Sequence, residues 1–142
     1  MNNKYALITG STAGIGLDIA KELARLGHNI VLTARREDRL KEIAGQLSEE
    51  FNIHCDYVVA DLADNSAPET IFNFCSSHNY AVEILVNNAG TNRPEHFTRI
   101  KKEDMDYVVD LNIKAAFHVA QLGAKVMLKS KKRKLIGGSI IN

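Results

Sequence analysis

Thr9-Gly10-Ser11-Thr12-Ala13-Gly14-Ile15-Gly16 follows the apolar run Tyr5-Ala6-Leu7-Ile8 and opens an amphipathic stretch, Ile15 to Leu26. Strand, glycine-rich turn and helix, in that order, form the arrangement that cradles a dinucleotide pyrophosphate. Gly10 allows a sharp turn out of the strand, where a side chain would clash. Gly14 lets the backbone come close to the phosphates, and Gly16 lets the helix lie tightly on the strand. The helix N-terminus then offers unpaired N–H groups and a positive dipole end to an anion. The spacing G-x-x-x-G-x-G differs from the commoner G-x-G-x-x-G, and a P-loop is excluded because no Lys-Ser or Lys-Thr follows. A merely structural turn is the alternative, and the rest of the chain weighs against it.

At 142 residues the chain has the length of one domain and can bury a real core. A hydrophobic share of 45% beside 25% charged residues is that of an ordinary globular protein. A net charge of +1 supplies no global field to gather nucleic acid or an anionic membrane, so neither partner is expected. Apolar runs fall short of a membrane span, and Met1-Asn2-Asn3-Lys4 leads straight into the first strand. No signal peptide and a cytoplasmic location are therefore expected. Cys55 and Cys75 lack metal-ligand spacing; we expect them reduced and buried, with no metal site.

Along the chain the apolar pattern alternates between strand and helix types. Tyr5–Thr9, Ile30–Thr33, Tyr57–Val59, Ile84–Val86 and Ser139–Ile141 are short and β-branched, as strands covered on both faces should be. Between them Ile19, Ala20, Leu23 and Ala24 mark one helix, and Leu40, Ile43, Ala44, Leu47 and Phe51 a second. Ser66 and Pro68 introduce a third through Ile71, Phe74 and Cys75. A long fourth runs from Met105 to Val126 with a period near 3.6. This alternation predicts an α/β fold, a doubly wound parallel sheet with right-handed crossovers. Lys129 and Lys131–Lys134 form a basic run, read either as a nucleic-acid patch or as the solvated end of the fourth helix.

Four further groups carry chemistry. After the second strand, Ala34-Arg35-Arg36 stands where an acidic residue would take the ribose hydroxyls of NAD. A guanidinium there can instead pair with the extra phosphate of NADP; the bland reading is the exposed start of a helix. Asp61 ends the third strand, placed either to accept from an adenine amino group or to cap a turn. Asn87-Asn88-Ala89-Gly90 ends the fourth strand, where small residues permit close backbone approach and Asn amides satisfy strand-end groups; an ordinary turn is the alternative. Asn112 falls on the apolar face of the fourth helix, where an unsatisfied amide costs about 1–3 kcal/mol. It needs a water, a ligand-linked group or a disrupted backbone carbonyl, or it stabilises a local kink.

Taken in order, Thr9–Gly16, Arg35, Asp61, Asn87–Gly90 and Asn112 resemble the short-chain dehydrogenase/reductase family, in its form with a single Rossmann domain. The resemblance covers the whole chain and implies an NAD(P)-binding Rossmann domain over residues 1–142. It places Gly10, Ser11, Thr12, Gly14, Ile15 and Gly16 at the pyrophosphate, and Arg35 with Arg36 at the 2′-phosphate, favouring NADP(H) over NAD(H). Asp61 and Leu62 hold the adenine, Asn88, Ala89 and Gly90 line the adenosine ribose, and Asn112 joins a proton relay. The family's catalytic Ser and Tyr-x-x-x-Lys have no counterpart: Tyr5, Tyr57, Tyr80 and Tyr107 lack a Lys four residues later. By this pattern the sheet is truncated after its fifth strand, leaving an exposed edge and an uncovered fourth helix. The expected function is the cofactor half of an NADP-dependent reductase of carbonyl or alcohol substrates, inactive by itself, whose parent is a homo-oligomer. Residues 88–94 are similar to 3-oxoacyl-carrier-protein and sugar-acid reductases. The alternatives are a nucleotide-binding module without catalysis and a fragment of an interrupted gene.

Overall fold

The run Tyr5–Ile8 is apolar at every position because both of its faces are covered. In the computed structural model, which describes residues 4–131 and 138–142, it becomes β1 (Lys4–Thr9), the middle strand of a five-stranded sheet. Tyr5 and Leu7 point into one core with Ile71, Phe72 and Val119; Ala6 and Ile8 point into the other with Ala20, Leu40 and Leu47. Period-two alternation sorts the residues of one strand between two cores, so the sequence shows no polar face.

After β1 come α1 (Gly14–Arg25), β2 (Asn29–Ala34), α2 (Glu37–Phe51), β3 (Cys55–Val59), α3 (Ala67–Ser77) and β4 (Ala81–Val86). The chain continues through a 3₁₀ turn (Phe97–Arg99), α4 (Lys102–Val109), a π-helical turn (Asp110–Ala115), α5 (Ala116–Lys131) and β5 (Ser139–Ile141). All pairings are parallel, in the order β3-β2-β1-β4-β5. Residues of α1 and α2 fill one core and those of α3 and α5 the other, which is the expected doubly wound Rossmann-like arrangement.

All five strands stand where the apolar runs put them, but β3 and β4 begin two and three residues earlier. Polar residues hid those starts. Asp56, the second residue of β3, accepts a hydrogen bond from the Tyr80 hydroxyl at 2.9 Å. Glu83 is an extra residue in β4: Tyr5 pairs with Val82 and Ala6 with Ile84, so Glu83 bulges out and meets Lys4 at 2.9 Å. The bulge brings Val82 and Leu85, three residues apart, into the same core.

The fourth helix corrects the sequence reading. It is not continuous: the π turn separates α4 from α5 and adds a residue to the helical phase. Leu111, Ala115 and Val119 are buried, while Ile113 and Phe117 are each 62% exposed. Asn112, assigned to the apolar face by a uniform 3.6 period, is exposed. Met105 and Leu128 are exposed too, so the uncovered apolar surface expected on this helix is present. β5 pairs with β4 alone and forms one edge of the sheet. Of the basic run, Lys129 is exposed, whereas Lys132, Arg133 and Lys134 lie outside the described residues. Among the described residues no helix is long and apolar enough to cross a membrane, and no group of His, Cys, Asp or Glu is arranged to hold a metal.

Cys75 is buried and Cys55 half-buried, less covered than its sequence position suggested. Burial first, and the negative charge of Asp56 second, push both thiols up to about 12. A thiol harder to ionise in the folded than in the unfolded state stabilises the fold below the ordinary thiol value of 9.0. That contribution fades as pH rises from there towards about 12. Alkylation by iodoacetamide at pH 8 should therefore be slow for both cysteines and at least tenfold faster in urea, read by mass spectrometry. Equal rates would contradict the packing of α3 and β3 described here.

Candidate functional site

Strand order reverses between β1 and β4, and the loops leaving them turn to opposite sides of the sheet, opening a crevice at the strands' carboxyl ends. A cleft of about 160 Å³ lies there. Gly10 and Thr12 line it from the turn after β1, and Thr33 to Arg36 from the end of β2. Ala60, Asp61 and Leu62 follow β3, Ala89 to Thr91 follow β4, and Tyr107 and Leu111 come from α4 and the π turn.

Two side chains stitch the glycine-rich turn to the end of β4. The Asn88 amide donates to the Thr9 and Gly10 carbonyls at 3.0 and 3.1 Å. Wholly buried Thr9 accepts at its hydroxyl from the Asn88 and Ala89 N–H groups at 3.0 and 2.9 Å, and donates to the Val86 carbonyl at 3.4 Å. The glycines are fitted to this seam. Gly10 adopts φ +64°, and a Cβ there would lie 2.9 Å from the Ala89 Cα. A Cβ on Gly16 would overlap the Asn88 amide and lie 2.6 Å from the Gly10 carbonyl oxygen. Gly16 thus packs against Asn88 and the turn, not merely on the strand.

The expected site residues divide accordingly. Gly10, Thr12, Arg35, Arg36, Asp61, Leu62, Ala89 and Gly90 share the lining of the one cleft. Ser11 and Asn88 do not line it. Ser11 is buried and its hydroxyl donates to the Thr33 carbonyl at 3.3 Å, so both residues hold the turn in shape. Gly14 has φ +56° and open space where a side chain would stand, and Ile15 beside it is 72% exposed. Asp61 accepts from the Ala63 N–H through Oδ1 at 3.0 Å, so it caps a turn while lining the cleft.

Electrostatically the cleft favours anions. The residue before helix α1, Ala13, makes no side-chain capping bond, and the helix carries no acidic residue in its first turn. Its first N–H groups and positive dipole end are left to a ligand. Helix α2 differs, with Glu37 and Asp38 in its first turn. The charged residues lining the cleft are Arg35, Arg36 and Asp61, so the positive side prevails. An uncapped helix start, open space at Gly14 and two guanidiniums fit a phosphorylated dinucleotide.

Asn112 stands apart, at a second opening shared with Asn87, Ala89, Phe117 and Asn142. Its partner is the backbone of the loop after β4: Oδ1 accepts from the Thr91 N–H and the amide donates to the Thr91 carbonyl, each at 2.8 Å. Asn87 reaches the other way, donating to the Ala116 carbonyl at 2.7 Å and to Asn142 Oδ1 at 3.0 Å. Sequence reasoning quoted Thr9 in the glycine-rich stretch without giving it a role, and missed Tyr107. Thr9 had a signal, a polar residue closing an otherwise apolar strand. Tyr107 had none, because its partner Arg35 is 72 residues away.

Gly14→Ala should cost about 1–2 kcal/mol, since only the left-handed backbone opposes it. Gly16→Ala should cost about 1–3 kcal/mol, despite its gain in helix propensity, because it displaces Asn88. Urea denaturation of a Gly16→Ala, Asn88→Ala double variant should show a smaller added loss than the two single variants sum to. Strict additivity would mean that Gly16 and Asn88 do not meet.

The family described as short chain dehydrogenase matches residues 4–142. An uncharacterized oxidoreductase of Staphylococcus epidermidis is 35% identical over 142 residues, all of this chain and 58% of that protein. A 3-oxoacyl-[acyl-carrier-protein] reductase of Aquifex aeolicus is 30% identical over 145 residues, 99% of this chain and 57% of that one. The structure of L-sorbose reductase from Gluconobacter frateurii, complexed with NADPH and L-sorbose, superposes with a TM-score of 0.88. Its identity is 36%, over 96% of this chain and 50% of that one. The chain spans a little over half the length of the curated relatives it matches.

Proposed function

The chain belongs to the short-chain dehydrogenase/reductase family of oxidoreductases, and we propose that it forms the NADP(H)-binding part of an enzyme acting on a carbonyl or alcohol substrate. The observation that carries the cofactor choice is the pair Arg35 and Arg36, lining the same cleft as the glycine-rich turn, with Ala34 where a carboxylate would repel a 2′-phosphate. The NADPH complex of the similar L-sorbose reductase supports the same reading.

On this proposal each residue has a distinct task. The first N–H groups of α1 and the Thr12 hydroxyl bind the pyrophosphate, with Gly14 leaving room for it. Arg35 and Arg36 pair with the 2′-phosphate through charge-assisted hydrogen bonds. Leu62 and Leu111 offer apolar surface to the adenine, and Asp61 keeps Oδ2 to accept from its amino group. Ala89 and Gly90 let the backbone approach the adenosine ribose. When bound, the nicotinamide supplies hydride exchange with the substrate. Asn112 holds the loop after β4 to the π turn and keeps further hydrogen-bonding capacity for a water in a proton relay. Reduction of a carbonyl also needs an acid for the developing alkoxide. We assign that role, by resemblance, to a Ser and a Tyr-x-x-x-Lys of the whole protein, outside residues 1–142.

Calorimetry should find NADPH bound more tightly than NADH. Arg35→Asp should weaken NADPH about 10- to 100-fold and remove the preference, from the loss of charged hydrogen bonds. Gly14→Val should weaken both nucleotides alike. Equal affinity of the unaltered chain for the two cofactors would overturn the NADP assignment.

A further inference from the structure

Resting on the reading that the cleft takes a 2′-phosphorylated dinucleotide, we propose that Tyr107 is a further cofactor-selecting residue. Its hydroxyl and Arg35 clasp the 2′-phosphate together, and Arg93, stacked on its ring, keeps the clasp in place.

Arg35 Nη1 donates to the Tyr107 hydroxyl at 3.2 Å, joining the end of β2 to α4, and both residues line the cleft. Arg35 is exposed, and a long cation in that position ordinarily samples many rotamers. Tied to Tyr107 it is ordered before a ligand arrives, which lowers the cost of binding. The chemistry of the tie matters. A carboxylate at position 107 would hold Arg35 more strongly, yet it would neutralise the guanidinium and repel a phosphate. An aliphatic side chain would leave Arg35 loose. The phenol is a neutral acceptor, so Arg35 keeps its full charge. Because Arg35 is the donor in that bond, the phenolic O–H remains free to donate. Guanidinium and phenol therefore present converging donors to one phosphate.

Arg93 lies on the loop after β4, with its guanidinium carbon 5.0 Å from the centroid of the Tyr107 ring. Its Nε is 3.8 Å from Asp104 Oδ1, which orients it on the ring and offsets part of its charge. Asp61 is the acidic residue in the cleft lining, Asp104 stands against Arg93, and Glu37 and Asp38 lie in the first turn of α2. With those negative groups present, a second donor beside Arg35 contributes directly to holding a dianion.

The test uses calorimetry with 2′,5′-ADP, 5′-AMP, NADPH and NADH on the 142-residue chain. Tyr107→Phe keeps the ring and the Arg93 stack and removes only the hydroxyl. It should weaken 2′,5′-ADP and NADPH about tenfold and leave 5′-AMP and NADH within about twofold. Arg93→Ala, at an exposed position, should weaken the 2′-phosphorylated ligands about threefold in the same selective way. Selective loss in both variants supports the clasp. Undiminished 2′,5′-ADP affinity in Tyr107→Phe, or an equal loss for all four ligands, overturns it while the NADP reading stands. Failure of the unaltered chain to prefer 2′,5′-ADP over 5′-AMP overturns the NADP reading itself, and the clasp with it.

Discussion

The hydroxyl of Thr9 and the amide of Asn88 solve one problem on which the site depends. Where the chain leaves β1 and β4 it turns to opposite faces of the sheet, and the strands' backbone groups lose their ladder partners at a partly buried junction. Buried N–H and C=O groups left so would each cost free energy comparable to a lost hydrogen bond. Thr9 accepts two N–H groups from the β4 end, and Asn88 donates to two carbonyls at the β1 end. The seam fixes the glycine-rich turn, and the turn in turn fixes the start of α1.

That division of labour separates residues that shape the cleft from residues that face it. Ser11, Asn88 and Gly16 belong to the scaffold, with their polar atoms or their bareness committed to protein contacts. Thr12, Gly14 and the first turn of α1 keep their capacity for a ligand, since Ala13 offers no cap and no carboxylate stands in that turn. A helix start that satisfied itself would have nothing left for a phosphate. The positive end is kept free by the choice of small, uncharged residues around it.

The junction of α4 and α5 shows a second irregularity used for position. The π turn rotates the helix face by one residue, burying Leu111 and Ala115 while releasing Asn112 to the surface. Asn112 then pairs with both backbone groups of Thr91, as a strand residue would, and Asn87 reaches the Ala116 carbonyl from the other side. The loop after β4 is thereby tied at both ends of the turn. Tyr107, which meets Arg35, lies on α4 just before that turn.

The sequence by itself determined the order and type of the elements. Short β-branched runs between helical periods leave a doubly wound sheet as the consistent solution, and Gly10, Gly14 and Gly16 mark its ligand edge because positive φ and close approach exclude other residues. Arg35, Asp61 and Ala89 were legible for the same reason: strand ends in such a sheet converge on one edge. Three things were decided only by tertiary structure. The starts of β3 and β4 were hidden by Asp56 and Glu83, whose partners Tyr80 and Lys4 are distant in sequence. The phase of the fourth helix was reset by a π turn that leaves no mark in a 3.6 period, which moved Asn112 from the core to the surface. The meeting of Arg35 with Tyr107 depends on how α4 lies over the cleft. Periodicity records which face of an element is apolar, and it carries no record of which side chains from two distant elements come within hydrogen-bonding reach.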